Sequence, residues 1–206
     1  MAKIRFFLDT GALIALSGLE GSDLQDFKNR MEAGNSEISV THVQVDESTK
    51  HMKFHEKVKE KYEKKVKDYQ QKINKALGSL KNKGITVHLE DTKAFVIGVS
   101  RIGYTVLGGE EIGKLYGELR KEIDECERTK KGTSKPLLNI ASDATIAVSS
   151  LNHDFFITCD RCLFDSWGNV ISKNRMLEQQ FKVPKVIYAK RSPKEVARKM
   201  LELLQC

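Results

Sequence analysis

The sequence predicts an α/β/α domain in which a mostly parallel sheet is covered by helices on both faces, with a long basic helical excursion. Three observations predict it. Apolar strand-like runs alternate with helix-periodic segments, the pattern left by repeated βα units. Two of those runs, Ile4-Arg5-Phe6-Phe7-Leu8 and Phe155-Phe156-Ile157-Thr158-Cys159, are closed by Asp9 and Asp160, and open α/β sheets place their chemistry at the carboxyl ends of strands. A chain of 206 residues with 40% hydrophobic content fills one good core and is short for two full domains.

The elements follow in order. Ile4 to Leu8 is a strand emptying through Asp9 into a helix that begins Thr10-Gly11-Ala12-Leu13. A short strand near Ile38 precedes Thr41. If a helix begins there, Glu47, four residues after Val43, shares its inward face. From Lys50 to Lys83 there are twelve Lys against four acidic residues, an excess of eight that exceeds the +7 of the whole chain. Val58, Tyr62, Val66, Tyr69, Ile73 and Leu77 recur at helical spacing, which predicts one amphipathic helix about 45 Å long at ~1.5 Å per residue, ending near Gly84. Ile85 to Leu89 reads as a strand, Glu110 to Arg128 as a charged helix, and Thr129 to Pro136 as a basic loop. In the next helix Asp143 stands three residues after Ile140 and four before Ala147, on the apolar face. Lys185 to Ala189 is the last strand. The closing helix has Ser192 as N-cap, Pro193 in its first turn and Glu195 to complete a capping box, with Val196, Ala197, Met200, Leu201 and Leu204 facing the core. No repeat, low-complexity tract or linker interrupts the chain.

Asp9, Glu47, Asp143 and Asp160 therefore converge as acids in inward positions. Burying an ionised carboxylate is costly, and several in one pocket repel each other unless a cation is present. Oxygen ligands without a histidine or thiolate pattern favour a hard ion, Mg²⁺ or Mn²⁺. Each acid also has a plainer reading. Asp9 and Asp160 suit helix N-caps, Asp143 suits pairing with a buried Lys or Arg, and Glu47 suits half of an exposed Asp46-Glu47 pair.

The order and setting of these pieces resemble the PIN-domain nucleases: Phe-Phe-Leu-Asp9-Thr10-Gly-Ala-Leu, Thr41-His-Val-Gln-Val-Asp-Glu47, Ser-Asp143-Ala-Thr-Ile-Ala, and Ile157-Thr158-Cys-Asp160. The resemblance implies a Rossmann-like sandwich whose acidic pocket binds Mg²⁺ or Mn²⁺ and cuts single-stranded RNA. By position it makes Asp9, Glu47, Asp143 and Asp160 the catalytic, metal-binding carboxylates, with Asp165 in reserve and Thr10 and Thr158 as hydroxyl contacts. His51, Arg161 and the lysines Lys53, Lys57, Lys61 and Lys64 are the expected RNA contacts. The basic helix is open to two readings, a solvated arm or a surface that tracks phosphates with salt-sensitive affinity. An elongated helical insertion after the second acidic motif also occurs in larger PIN-like proteins.

Other motifs carry less. Cys159-Asp-Arg-Cys162 has no second ligand pair at matching spacing, since Cys126 and Cys206 are singletons. Gly108 to Leu115 meets seven positions of a P-loop, but Leu115 replaces the hydroxyl that ligates Mg²⁺. Glu47, His51 and His55 share one helical face without completing a zinc site. A haloacid-dehalogenase-type phosphohydrolase would want a second Asp two residues after Asp9, where Gly11 stands. A binding module that keeps the pocket without cutting, or a partner-activated subunit, is the alternative from another class, and an antitoxin or a second copy as partner is left open. No stretch approaches the roughly 20 apolar residues that span a bilayer. The first apolar run carries Arg5 and Asp9, unlike a signal peptide. The expectation is a cytoplasmic protein with four reduced thiols.

Overall fold

A computed structural model gives the fold and describes residues 3–41, 71–90, 95–100, 103–107, 110–131, 137–174 and 177–205. Five strands form one parallel sheet: β1 (Ile4–Leu8), β2 (Ser36–Thr41), β3 (Val87–Glu90), β6 (Phe155–Thr158) and β7 (Lys185–Tyr188), in the order β3-β2-β1-β6-β7. The chain moves outward from β1 through β2 to β3 and later resumes on the other side of β1 with β6 and β7. The order therefore reverses between β1 and β6, the kind of switch point beside which open α/β sheets place their ligands.

Pleating divides the core in two, because successive residues of a strand face opposite sides of the sheet. On β1, Phe6 and Leu8 join Ile38, Val40 and Ile157 beneath α1 (Thr10–Leu16), α2 (Gly21–Ala33), α3 (71–82) and α8 (Pro193–Leu203). Phe7, between them, joins Phe156 against α4 (Glu110–Lys131), α5 (Leu137–Ser149) and α6 (Arg161–Lys173). Helices thus cover both faces, as expected. A short helix α7 (Leu177–Gln180) precedes β7. Among the described residues, no helix is long and apolar enough to cross a membrane.

The described end of the basic helix behaves as its periodicity requires. Ile73, Ala76 and Leu80 are buried in the core and Leu77 is packed against it. The helix stops at Gly84, whose φ of +75° suits glycine. There Ile85 N–H donates to Leu80 O at 2.9 Å and Gly84 N–H to Lys81 O at 3.0 Å, a Schellman closure with Ile85 packed in the same core. The remainder of the predicted helix lies outside the described residues.

Three elements differ from expectation. Thr129–Lys131 continue α4 instead of opening a loop, with the Thr129 hydroxyl donating to Glu125 O at 2.8 Å. Ser192 is the N-cap of α8 but no capping box forms, because Glu195 turns forward to take Arg198 in hydrogen bonds of 2.8 to 3.1 Å. Between β3 and α4 lies an antiparallel pair that the sequence reading left unassigned, β4 (Phe95–Ser100) and β5 (Gly103–Leu107), with Phe95 opposite Leu107 and an irregularity between Ile97 and Ser100. The P-loop-like Lys114 lies within α4 and pairs with Glu110 at 2.9 Å and Glu111 at 3.7 Å.

A polar network ties the strands together. On β1, Arg5 Nε donates to Glu37 Oε1 on β2 and Arg5 Nη2 to Glu90 Oε1 at the end of β3, each at 2.8 Å. Glu90 also meets Nε2 of the buried His153 at 2.9 Å. Burial would raise the Glu90 carboxyl, but the His153 hydrogen bond and the charges of His153 and Arg5 outweigh it and hold the group at about 2, below its ordinary 4.5. A folded value below the unfolded one means that this stabilisation is present above pH 4.5 and lost as pH falls through about 2. Glu90→Gln is expected to flatten that part of the acid limb, read as urea midpoint against pH. An unchanged slope over the same interval would exclude Glu90 as its source.

Candidate functional site

At the switch point β1 and β6 deliver one Asp each. Asp9 follows Leu8 in extended geometry and caps α1, its Oδ1 accepting from Ala12 N–H at 2.5 Å. Its Oδ2 accepts from the Thr158 hydroxyl at 2.5 Å and from Cys159 N–H at 2.9 Å. Thr158 oxygen in turn accepts from Asp160 N–H at 3.0 Å, and Asp160 Oδ1 caps α6 by accepting from Leu163 N–H at 3.1 Å. One hydroxyl thus links the backbone of one acid to the side chain of the other. The approach is tight at Gly11, where a Cβ would lie 3.1 Å from Cys159 Cβ and 3.3 Å from Asp9 Oδ1 and would press both neighbours back by a few tenths of an ångström.

Both acids are N-caps, as the plainer reading held, but capping does not account for the burial of Asp9. An N-cap contributes about 1 kcal/mol and needs no removal from solvent, whereas Asp9 is only 6% exposed. Burial raises its carboxyl above the ordinary value; the hydrogen bonds from Thr158, Ala12 and Cys159 oppose that rise, and the charge of Asp160 adds to it. Two acids at one strand junction, oriented by hydrogen bonds and facing a like charge, match the electrostatic demand of a cation. Their fixed oxygen donors suit a hard divalent ion.

The other expected residues are distributed unevenly. Asp143 is half-buried on α5, on the face that sends Ile140 and Ala147 into the core shared with Phe7 and Phe156. Thr10 is buried as the first residue of α1. Asp165, the reserve ligand, is held instead by Lys130 and by Arg161 at 3.2 Å, and these cations lower its carboxyl against the opposing effect of burial. The Arg161 guanidinium lies 5.2 Å from the ring centres of both Phe164 and Tyr188. Because Tyr188 ends β7, this places the cation at the carboxyl end of the sheet. Glu47, His51, Lys53, Lys57, Lys61 and Lys64 lie outside the described residues.

One acid escaped the sequence reading. Glu127 on α4 is 2% exposed, and one ligand atom each of Glu127, Asp160 and Cys162 lie within 4.8 Å of one another. Its signal was the one used for Asp143: Ile112, Leu115, Tyr116, Leu119 and Ile123 form the buried stripe of α4, and Glu127 is the next step of four. Cys126, a singleton in the sequence, lies near enough to Cys162 to help raise its thiol. Burial, reinforced by Cys126, pushes the Cys162 thiol up to about 12, and burial does the same for Cys159.

The fold and these residues define a three-layer α/β/α protein with two acids, Asp9 and Asp160, at the switch point of its parallel sheet. Among known proteins, no family model matches the chain, and no curated protein or solved structure matches it significantly.

Proposed function

We propose that this protein is a Mg²⁺- or Mn²⁺-dependent endoribonuclease of the PIN-domain type that cleaves single-stranded RNA. The observation that carries the proposal is the buried Asp9 at the β1/β6 switch point, oriented by three donors and set against the charge of Asp160. Asp9 and Asp160 would hold the ion, with Asp143 and Glu47 completing the set that the sequence resemblance assigns. When bound, the metal supplies an activated water for in-line attack on a phosphodiester and neutralises charge developing on phosphate oxygens. The protein's part is to keep the carboxylates fixed: Thr158 and Cys159 N–H orient Asp9, and the α6 cap orients Asp160. Arg161, on its aromatic rest, is suited to phosphate, and the lysines of 50–83 to the backbone beyond it.

The test is incubation of end-labelled single-stranded RNA with the purified protein in Mn²⁺, in Mg²⁺ and in EDTA. Internal cleavage in either metal and none in EDTA is expected. Intact RNA in both metals, with salt-sensitive binding retained, would replace the nuclease with a binding protein or a subunit awaiting its activator.

A further inference from the structure

Beside the Asp9 and Asp160 strand ends lies a cluster of different chemistry. Glu127 from α4, Asp160 from the β6 end and Cys162 from the first turn of α6 place their ligand atoms within 4.8 Å of one another, and Cys126, outside that group, is near enough to Cys162 to help raise its thiol. Glu127 and Cys162 are each 2% exposed. Lys130, one turn beyond Cys126, is engaged by Asp165.

Thiolate sulfur favours borderline and soft metals, whereas carboxylates alone favour Mg²⁺ or Mn²⁺. One thiol with two carboxylates makes three protein ligands, the number that Zn²⁺ accepts when water takes the fourth tetrahedral position. We propose that Glu127, Asp160 and Cys162 form a site for a borderline-soft divalent cation of the Zn²⁺ class, sharing Asp160 with the proposed hard-ion site but not Asp9. Binding exchanges the Cys162 thiol proton for a metal–sulfur bond, the proton leaving to solvent and no oxidant being required. The occupied site would pin the end of α4 to the start of α6 and so fix the backbone that carries Asp160.

The test is titration of the metal-free, full-length protein with Co²⁺, followed by absorbance. A thiolate-to-cobalt charge-transfer band that saturates, is displaced by Zn²⁺ and persists in Asp9→Asn is the expected result. The band should be lost in Cys162→Ala and in Glu127→Gln, the second of which keeps the shape of the buried side chain where the first disturbs folding. Circular dichroism confirms that each variant is folded. No band in the folded parent protein, or a band that survives either substitution, overturns the proposal. Such a failure leaves the ribonuclease reading untouched, because that reading concerns Mg²⁺ or Mn²⁺ at Asp9 and is read by RNA cleavage.

Discussion

Asp9→Asn is expected to lower metal-dependent cleavage of single-stranded RNA by about 100-fold or more, the scale on which loss of a preorganised electrostatic group acts. The substitution preserves shape and removes the charge that a cation needs. It also turns one amide N–H₂ toward the donors that now bond the carboxylate, Thr158 and Cys159 N–H or Ala12 N–H. A modest drop in melting temperature should therefore accompany the loss of cleavage, while the far-ultraviolet circular dichroism stays that of the parent. Asp160→Asn should lose cleavage on the same scale, because its amide oxygen can still cap α6. The informative measurement is single-turnover cleavage over a range of Mn²⁺ concentrations. Full cleavage at saturating Mn²⁺ in both variants would remove these acids from the chemistry and leave them as caps.

Phe156→Ala should cost about 3–5 kcal/mol of folding stability, the usual range for emptying a buried aromatic site. Phe156 is fully buried in β6, with its ring centre 5.9 Å from Phe7 and 6.1 Å from Trp167, both edge-on. Removing the ring strips contacts from β1, β6 and α6 together, the elements that meet at Asp9 and Asp160. Small domains are stable by only about 5–15 kcal/mol, so the loss is a large share of the total. Urea unfolding followed by fluorescence of Trp167, the sole tryptophan, reads it directly. A midpoint unchanged from the parent would mean that the layer beneath α6 repacks without penalty.

Some of the fold was legible because its signals are local. Strand-to-Asp endings at Asp9 and Asp160 are written in a few consecutive residues, and both acids stand where those endings put them. Asp143 shares a helix face with Ile140 and Ala147, each within about one helical turn, and is half-buried there. Gly84 ends its helix because glycine tolerates the left-handed backbone that the closure requires. Where two local solutions compete, sequence alone misleads. Glu195 is equally spaced to close a capping box or to bond forward along the helix, and the bidentate geometry of Arg198 wins. The β4–β5 pair was missed because Gly98 and Gly103 interrupt its apolar runs and weaken the local strand signal.

The sequence by itself determined the α/β class, the two acidic strand ends, the apolar faces of the helices and the concentration of positive charge in residues 50–83. Only the tertiary structure decided that β1 and β6 are neighbours, that Thr158 donates to Asp9, that Lys130 and Arg161 take Asp165, and that Glu127 and Cys126 come to Cys162. The physical reason is range. Periodicity and capping act over one turn or one pleat, whereas strand order and helix docking depend on burying two whole faces of the sheet at once, an energy summed over residues far apart in the chain.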